Sequence, residues 1–472
     1  MSYQVTDLAP YDLSVAVTAE ADRSLGAHLH KPGRQEDLAF AYWRPSIGAR
    51  RYTAIIEAVA WPGQDERILH GNASFRAEYL DRVLREVPEG AGIAFFHGHP
   101  GPGWQAMSGD DTIAERDRLA GAVAGRTGLP LVGMTRGMDG AWSARFWARS
   151  GPRIYERRDA RTVRVVGRRL RITFHPDDMP AKPTAALGET LTVWGKEAQD
   201  DLVRARVGII GLGNVGSLVA EACSRMGLSR LSYIDHDLIE TRNLDRTNGA
   251  TMADVIAELP KVAVAGRATA LSHTSADIDL RLVVASLLSD GGYRAALDCD
   301  VLLSCVDRPL PRHLLNALAY AHLIPIVDGG IAARVKSDGR PLHIDWRIQT
   351  AGPEHGCLVC VGALRRSDVG LDRDGKLDDP EYIAGLSDVE RAALSRRNVF
   401  PFGMSVAAHQ VLQMVGLLTG LERVGGIGPQ MYHAYPGCMD VREVACEADC
   451  EYAAIAASGL DLRPGLVSQG IG

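Results

Sequence analysis

The segment V-G-I-I-G-L-G-N-V-G-S, residues 207–217, constrains the fold more than any other stretch of the chain. Val207 to Ile210 form an apolar run of strand type. Gly211, Gly213 and Gly216 then fall in a G-x-G-x-x-G turn, and a helix is expected from Ser217 to Met226. A strand that passes through so tight a turn into a helix belongs to a βαβ unit, and the N–H groups at the helix start can hold phosphate. The turn alone does not choose the ligand, because dehydrogenases, flavoproteins and many methyltransferases share it.

The residues that follow narrow the choice. In Y-I-D-H-D-L-I-E-T-R-N-L-D-R, Asp235 and Asp237 close the next strand, with Asn243 and Arg246 shortly after. A nicotinamide enzyme needs one acid there for the ribose and has no use for an added Asn and Arg directed at the phosphates. ATP chemistry does: Arg246, and Lys261 in E-L-P-K, can neutralise charge building on the α-phosphate and the departing pyrophosphate during nucleotidyl transfer. G-x-G-x-x-G, D-x-D, N-L-x-R, a later Lys, S-C-V-D-R and C-x-x-C, taken in this order, resemble the ThiF/MoeB group, the adenylating half of ubiquitin-activating enzymes, over roughly residues 185–455.

The resemblance implies a Rossmann-like doubly wound domain that binds ATP and Mg²⁺. Gly211, Gly213, Gly216, Asp235 and Asp237 would form the nucleotide seat, with Asp235 on the ribose. Asn243, Arg246 and Lys261 would surround the triphosphate, and Asp307 would stand beside Mg²⁺ and the α-phosphate. It also implies a homodimer in which an Arg ahead of the first strand crosses to the partner's phosphates. Here that stretch reads L-T-V-W-G-K-E-A-Q, and Lys196 stands where the guanidinium fork is expected.

Eight cysteines in a chain with no signal peptide or lipidation motif point to ligands or buried thiols, not to a disulfide framework. Cys223, Cys299 and Cys305 lie in strand or helix patterns and read as core. Cys357 and Cys360 form C-x-x-C, and Cys446 and Cys450 form C-x-x-x-C. Two thiolate pairs from distant loops meet the tetrahedral demand of a structural Zn²⁺. The resembling family carries a four-Cys zinc at this place, usually with C-x-x-C as its second pair. Cys438, in Y-P-G-C-M-D, is the one remaining candidate nucleophile for a thioester.

The front of the chain carries separate chemistry. Residues 93–111 read I-A-F-F-H-G-H-P-G-P-G-W-Q-A-M-S-G-D-D. A short buried strand, Ile93 to Phe96, sets His97 and His99 on one side. With Asp111 they make three ligands for a catalytic Zn²⁺ and leave one position open. H-x-H-P followed by S-x-x-D resembles the JAB/MPN metalloprotease motif of deubiquitinating isopeptidases, with one residue more between His99 and Ser108 than that family usually has. The resemblance implies that Ser108 bonds the developing oxyanion and that Glu36, before an upstream strand, is the general base. Glu57, inside an apolar strand, is the second choice.

The expected organisation is an N-terminal JAB/MPN-like α/β domain over 1–150, a basic hairpin turning at Gly167 with a Pro-rich linker over 151–185, and a ThiF-type domain over 186–472. Residues 365–400 read as a loop with one helix near Ser387–Arg396. Phe402 to Leu421 read as a buried or interface helix, since His409, Gln410 and Gln413 interrupt it. A net charge of −6 gives no nucleic-acid surface, and no membrane partner is expected; the default location is cytoplasmic. The substrate implied by the fused halves is a small ubiquitin-like or sulfur-carrier protein with a C-terminal glycine, trimmed or deconjugated by one half and adenylated by the other. Three other readings stand beside it: sulfur transfer in cofactor, metabolite or cysteine biosynthesis; activation of a peptide or small-molecule carboxylate; and a non-catalytic scaffold.

Overall fold

A computed structural model describes residues 8–30, 36–70, 72–335, 341–387, 398–421, 423 and 425–462. The chain divides into two compact units. The first is Met1–Met179 with Ala321–Leu323 and Ala456–Leu460; the second is Pro180–Tyr320, Ile324–Ile455 and Asp461–Gly472.

Among the described residues, the first unit is built on a nine-stranded mixed sheet. Its order is Leu170–Phe174, Thr162–Val166, Asp12–Thr18, Arg51–Ala60, Leu38–Ile47, Gly92–Gly98, Leu131–Arg136, Trp142–Gly151 and Ile154–Asp159. The strand Gly92–Gly98 is buried throughout. Its side chains alternate between two cores: Phe96 packs with Trp43 and Trp142 on one face, and Phe95 with Phe40, Tyr79 and Leu119 on the other. The strand therefore cannot slip without turning an aromatic core outward, and this fixes the position of His97 at its end.

Residues 151–185, expected as a connector, instead add strands to both edges of this sheet. The hairpin of Thr162–Val166 and Leu170–Phe174 forms as expected around Gly167, but Thr162–Val166 pairs in parallel with Asp12–Thr18 and is buried throughout. Ile154–Asp159 pairs with Trp142–Gly151 at the opposite edge. Alternation of side chains reveals a strand, but not the distant strand it will join, so the unit closes near residue 179 and not near 150.

The second unit is an eight-stranded sheet among the described residues. Asp279–Val283, Arg230–Ile234, Arg206–Ile210, Val301–Ser304 and the start of Ile326–Val335 are parallel. Pro341–Ala351, Gln430–His433 and Cys438–Val441 continue it antiparallel. Chain order runs outward in both directions from Arg206–Ile210, so a crevice opens at the carboxyl end of that strand, where doubly wound sheets bind ligands. The following helix spans Asn214–Arg225, three residues earlier than expected, and places Gly216 inside its first turn.

Phe400–Thr419 is long and apolar enough to cross a membrane by length and composition. Here it is a core helix: Gln410 donates to the carbonyls of Ser304 (3.0 Å) and Val327 (2.7 Å), and Gln413 donates to Gly428 O at 2.7 Å. Arg366–Arg373 and Pro380–Gly385 are helical; apart from Ser387, the helix expected over 387–396 lies outside the described residues.

Candidate functional site

The glycine turn is sterically committed. Gly211 holds φ +88°, and a Cβ there would stand 2.9 Å from the Cys305 carbonyl oxygen. A Cβ on Gly216 would come within 1.8 Å of the Gly211 oxygen, whereas Gly213 faces open space. The turn is tied to the next strand by Asp235, which is 8% exposed. One carboxylate oxygen accepts the Leu212 N–H at 2.6 Å and the other accepts the Asp237 N–H at 2.8 Å. Burial raises the Asp235 pKa against the opposing pull of these two N–H groups.

Beyond Asp235 lies a cleft of about 570 Å³ whose lining includes Asp237, Asn243, Glu258 and Lys261. Lys261 opens the helix Lys261–Ser272 and binds Asp237 Oδ2 at 2.6 Å. Burial pushes the Asp237 carboxyl up, but the Lys261 hydrogen bond and charge outweigh it, and its pKa falls below the usual carboxylate value. Asn243 Oδ1 accepts the Glu240 N–H at 3.0 Å and closes the turn Thr241–Asn243. Arg246 is paired with Asp245 at 2.7 Å. Asp307 lies exposed in the turn after Val301–Ser304. Lys196, exposed, pairs with Asp200 one helical turn on, in a helix kinked at Gly195.

Two ion-pair groups that no local pattern announces tie down the segments after Val301–Ser304 and at the start of Ile326–Val335. Asp328, 0% exposed, lies 2.9 Å from Arg312 and 2.7 Å from Arg347 and accepts a 2.6 Å bond from Ser304 Oγ. Arg308, next to Asp307, binds Asp372 through Nε at 2.7 Å, while the other Asp372 oxygen accepts the Leu310 N–H at 2.8 Å. These pairs join residues far apart in sequence, and only a D-G-G run and scattered arginines signal them.

The two cysteine pairs converge. Cys357, Cys360, Cys446 and Cys450 offer sulfurs that all lie within 4.8 Å of one another, and Cys357 Sγ is 3.6 Å from Cys450 Sγ. Four sulfurs about 2.3 Å from one zinc would be about 3.8 Å apart, so the cluster fits that ion with small adjustment. The hydrogen bond from Cys357 brings the Cys446 thiol down to about 5, while Cys357 is pushed up. Cys223 and Cys299 are buried in the core, Cys305 is half-buried, and Cys438 is exposed.

In the first unit, His97, His99 and Asp111 also offer ligand atoms within 4.8 Å of one another. Asp111 Oδ1 is 3.5 Å from His97 Nε2 and Oδ2 is 3.3 Å from His99 Nε2. Burial pushes the Asp111 carboxyl up, but the bonds to both histidines overcome it and hold it far below the usual range. Ser108 caps the helix Gly109–Thr112: its Oγ accepts the Asp111 N–H at 3.1 Å, and its own N–H donates to Asp111 Oδ2 at 2.8 Å. In this state Ser108 therefore positions Asp111. Glu36 makes an antiparallel bridge with His30 just ahead of the strand Leu38–Ile47. Glu57 is bound by Arg44 Nε at 2.7 Å.

The sequence model of the ThiF family matches residues 187–446, more than half of the chain. The sulfur carrier protein ThiS adenylyltransferase of Bacillus subtilis is 30% identical over 135 residues, covering 29% of this chain and 40% of that protein. The molybdopterin-synthase adenylyltransferase of Salmonella typhimurium is 28% identical over 168 residues, covering 36% and 63%. Ubiquitin-like modifier-activating enzyme 5 of Drosophila erecta is 28% identical over 171 residues, covering 34% and 39%. The chain thus spans less than two thirds of each relative. Among solved structures, E. coli MccB with ATP matches at TM-score 0.44 and 14% identity, over 57% of this chain and 75% of that one. With the glycine turn, D-x-D, N-L-x-R and three of the four converging cysteines inside the matched span, and Cys450 just beyond it, the chain belongs to the ThiF family.

Proposed function

We propose that the second unit adenylates the C-terminal glycine carboxylate of a small ubiquitin-like or sulfur-carrier protein, and that the first unit is a zinc peptidase that exposes that glycine or cuts finished conjugates. The observation that carries the first half is the cleft at the sheet's carboxyl end, where Lys261 and Asn243 lie beyond a glycine turn fixed by Asp235. The relatives named above support the substrate class: by name they act on ThiS, serve molybdopterin synthase or activate a ubiquitin-like modifier.

In this reading ATP lies over the Gly211–Gly216 turn with its ribose toward Asp235. The carrier's carboxylate oxygen bonds to the α-phosphorus, the bond to the β-phosphate oxygen breaks, and pyrophosphate leaves. Lys261 shifts from Asp237 to the phosphates, Arg246 shifts from Asp245, and Asn243 orients the chain of phosphates. Mg²⁺ beside Asp307 would neutralise phosphate charge.

The peptidase half rests on the convergence of His97, His99 and Asp111. Two imidazoles and one carboxylate suit zinc with an open fourth position, and such an ion would acidify a water and polarise a carbonyl. Glu36 takes the water's proton and delivers it to the leaving amine, and Ser108 steadies the oxyanion once it releases Asp111.

The test of the adenylation reading is ATP–pyrophosphate exchange with candidate carriers that end in glycine. Exchange that requires the free C-terminal glycine supports it; exchange driven equally by unrelated peptides or small carboxylates would transfer the activity to another substrate class.

A further inference from the structure

Glu36 stands two residues ahead of Leu38, which lies directly across from His97 on the neighbouring antiparallel strand. Side chains alternate along a strand, so Glu36, Leu38 and His97 share one face and Asp37 takes the other. Asp37 is 0% exposed. Its Oδ1 accepts the Leu38 N–H at 2.9 Å and lies 3.3 Å from Arg67 Nε. His28, on the helix Ala19–Leu29, brings Nε2 to 3.0 Å from the Leu38 carbonyl oxygen and 3.6 Å from Asp37 Oδ1. Both oxygens accept, so Nε2 carries the hydrogen, and its 3.3 Å contact with Arg67 Nη1 is packing between two donors.

Arg67 is itself anchored. It opens the hairpin of Arg67–His70 and Asn72–Phe75, a two-stranded sheet apart from the main one. Its neighbour Glu66 is gripped by Arg82 from the helix Ala77–Glu86: Nε donates to Oε1 at 2.8 Å and Nη2 to Oε2 at 2.7 Å. Arg82 also donates to the Trp61 carbonyl at 2.9 Å, and the Trp61 ring meets His28 edge-on at 5.1 Å. A hairpin and two helices thus converge on one buried carboxylate, next in sequence to the candidate base.

A buried carboxylate that loses its cation is strongly disfavoured. Without Arg67 the segment can relieve Asp37 by turning it toward water, and alternation then turns Glu36 away from the face of His97. We infer that Asp37 and Arg67 are positioning residues that fix which face Glu36 presents. The inference rests on the reading of Glu36 as the base of a zinc peptidase at His97, His99 and Asp111.

The test is steady-state cleavage, by the full chain, of a carrier protein extended beyond its C-terminal glycine, with zinc content and melting temperature measured for each variant. Arg67→Ala, assayed well below its melting temperature and with front-site zinc retained, should lose about 10–100-fold in kcat at a KM near wild type. Arg67→Lys, which returns the cation, and the double variant Arg67→Ala/Asp37→Asn, which removes the buried charge, should bring kcat back to within a few-fold of wild type. Wild-type kcat in Arg67→Ala, a loss that the double variant leaves unrestored, or a loss that goes with departure of the zinc would overturn the inference; Glu36→Gln, inactive with zinc bound, would still leave the base standing. No cleavage sensitive to His99→Ala in the wild type would overturn both.

Discussion

Lys261 is tied to Asp237 twice: its backbone N–H donates to the Asp237 carbonyl at 2.9 Å and its Nζ binds Asp237 Oδ2 at 2.6 Å. The backbone bond fixes where the helix Lys261–Ser272 begins, while the ammonium rests on an acid that phosphate can displace. Lys261→Ala should leave the helix and the melting temperature nearly unchanged and lower pyrophosphate exchange about 10²–10³-fold, the usual scale for removing one transition-state charge partner. An exchange rate within a few-fold of wild type would take Lys261 out of the site.

Asp328 makes a prediction about pH. Burial pushes its carboxyl up, but Arg312 and Arg347 outweigh burial and hold it below the usual carboxylate range. A folded pKa depressed below the unfolded value of about 3.9 stabilises above that pH, and the contribution is lost as pH falls through the folded pKa. Asp328→Asn, which leaves two guanidinium groups without their anion, should cost about 3–5 kcal/mol near neutrality. Its stability should also fall less steeply than wild type below about pH 4. Urea unfolding of both proteins over that range checks the sign and the slope.

The parts legible in the sequence were those written in contiguous residues. The turn at Gly211–Gly216, the acids at 235 and 237, His97 with His99 and Asp111, and each cysteine pair are local patterns with a local cause. The structure brings the pairs and triads together where spacing said they could meet. Asp328 with Arg347, and Glu115 with Arg145, were invisible because each partner alone reads as an ordinary charge and the pairing depends on which strands become neighbours. The same holds for Thr162–Val166, whose alternation reveals a strand but not its parallel partner Asp12–Thr18. The π-turn at Ile113–Leu119 has no composition signal at all.

The cysteine cluster should behave as a structural centre. Cys357→Ser, at a fully buried position, should remove one zinc ion per chain and lower the melting temperature of the second unit, and a strong chelator should do the same to wild type. If the variant keeps the wild-type metal count, the four thiols do not hold an ion.

The two candidate bases differ in place: Glu36 stands two residues before Leu38, the residue paired with His97, whereas Glu57 lies in the strand Arg51–Ala60. Glu36→Gln should abolish peptide cleavage while zinc stays bound, because Glu36 is not in the ligand set. Glu57→Gln should cleave normally, since Arg44 already occupies that carboxylate at 2.7 Å. Cleavage assays beside metal analysis decide the assignment, and the reverse pattern would move the base to Glu57.

The coupling of the two units is tested most directly by ATP–pyrophosphate exchange on one carrier protein in two forms, one ending at its glycine and one with residues beyond it. Wild type should support exchange with both, and His99→Ala only with the form that already ends in glycine. Equal exchange by His99→Ala on the extended form, or no exchange by wild type on the trimmed form, would contradict the account.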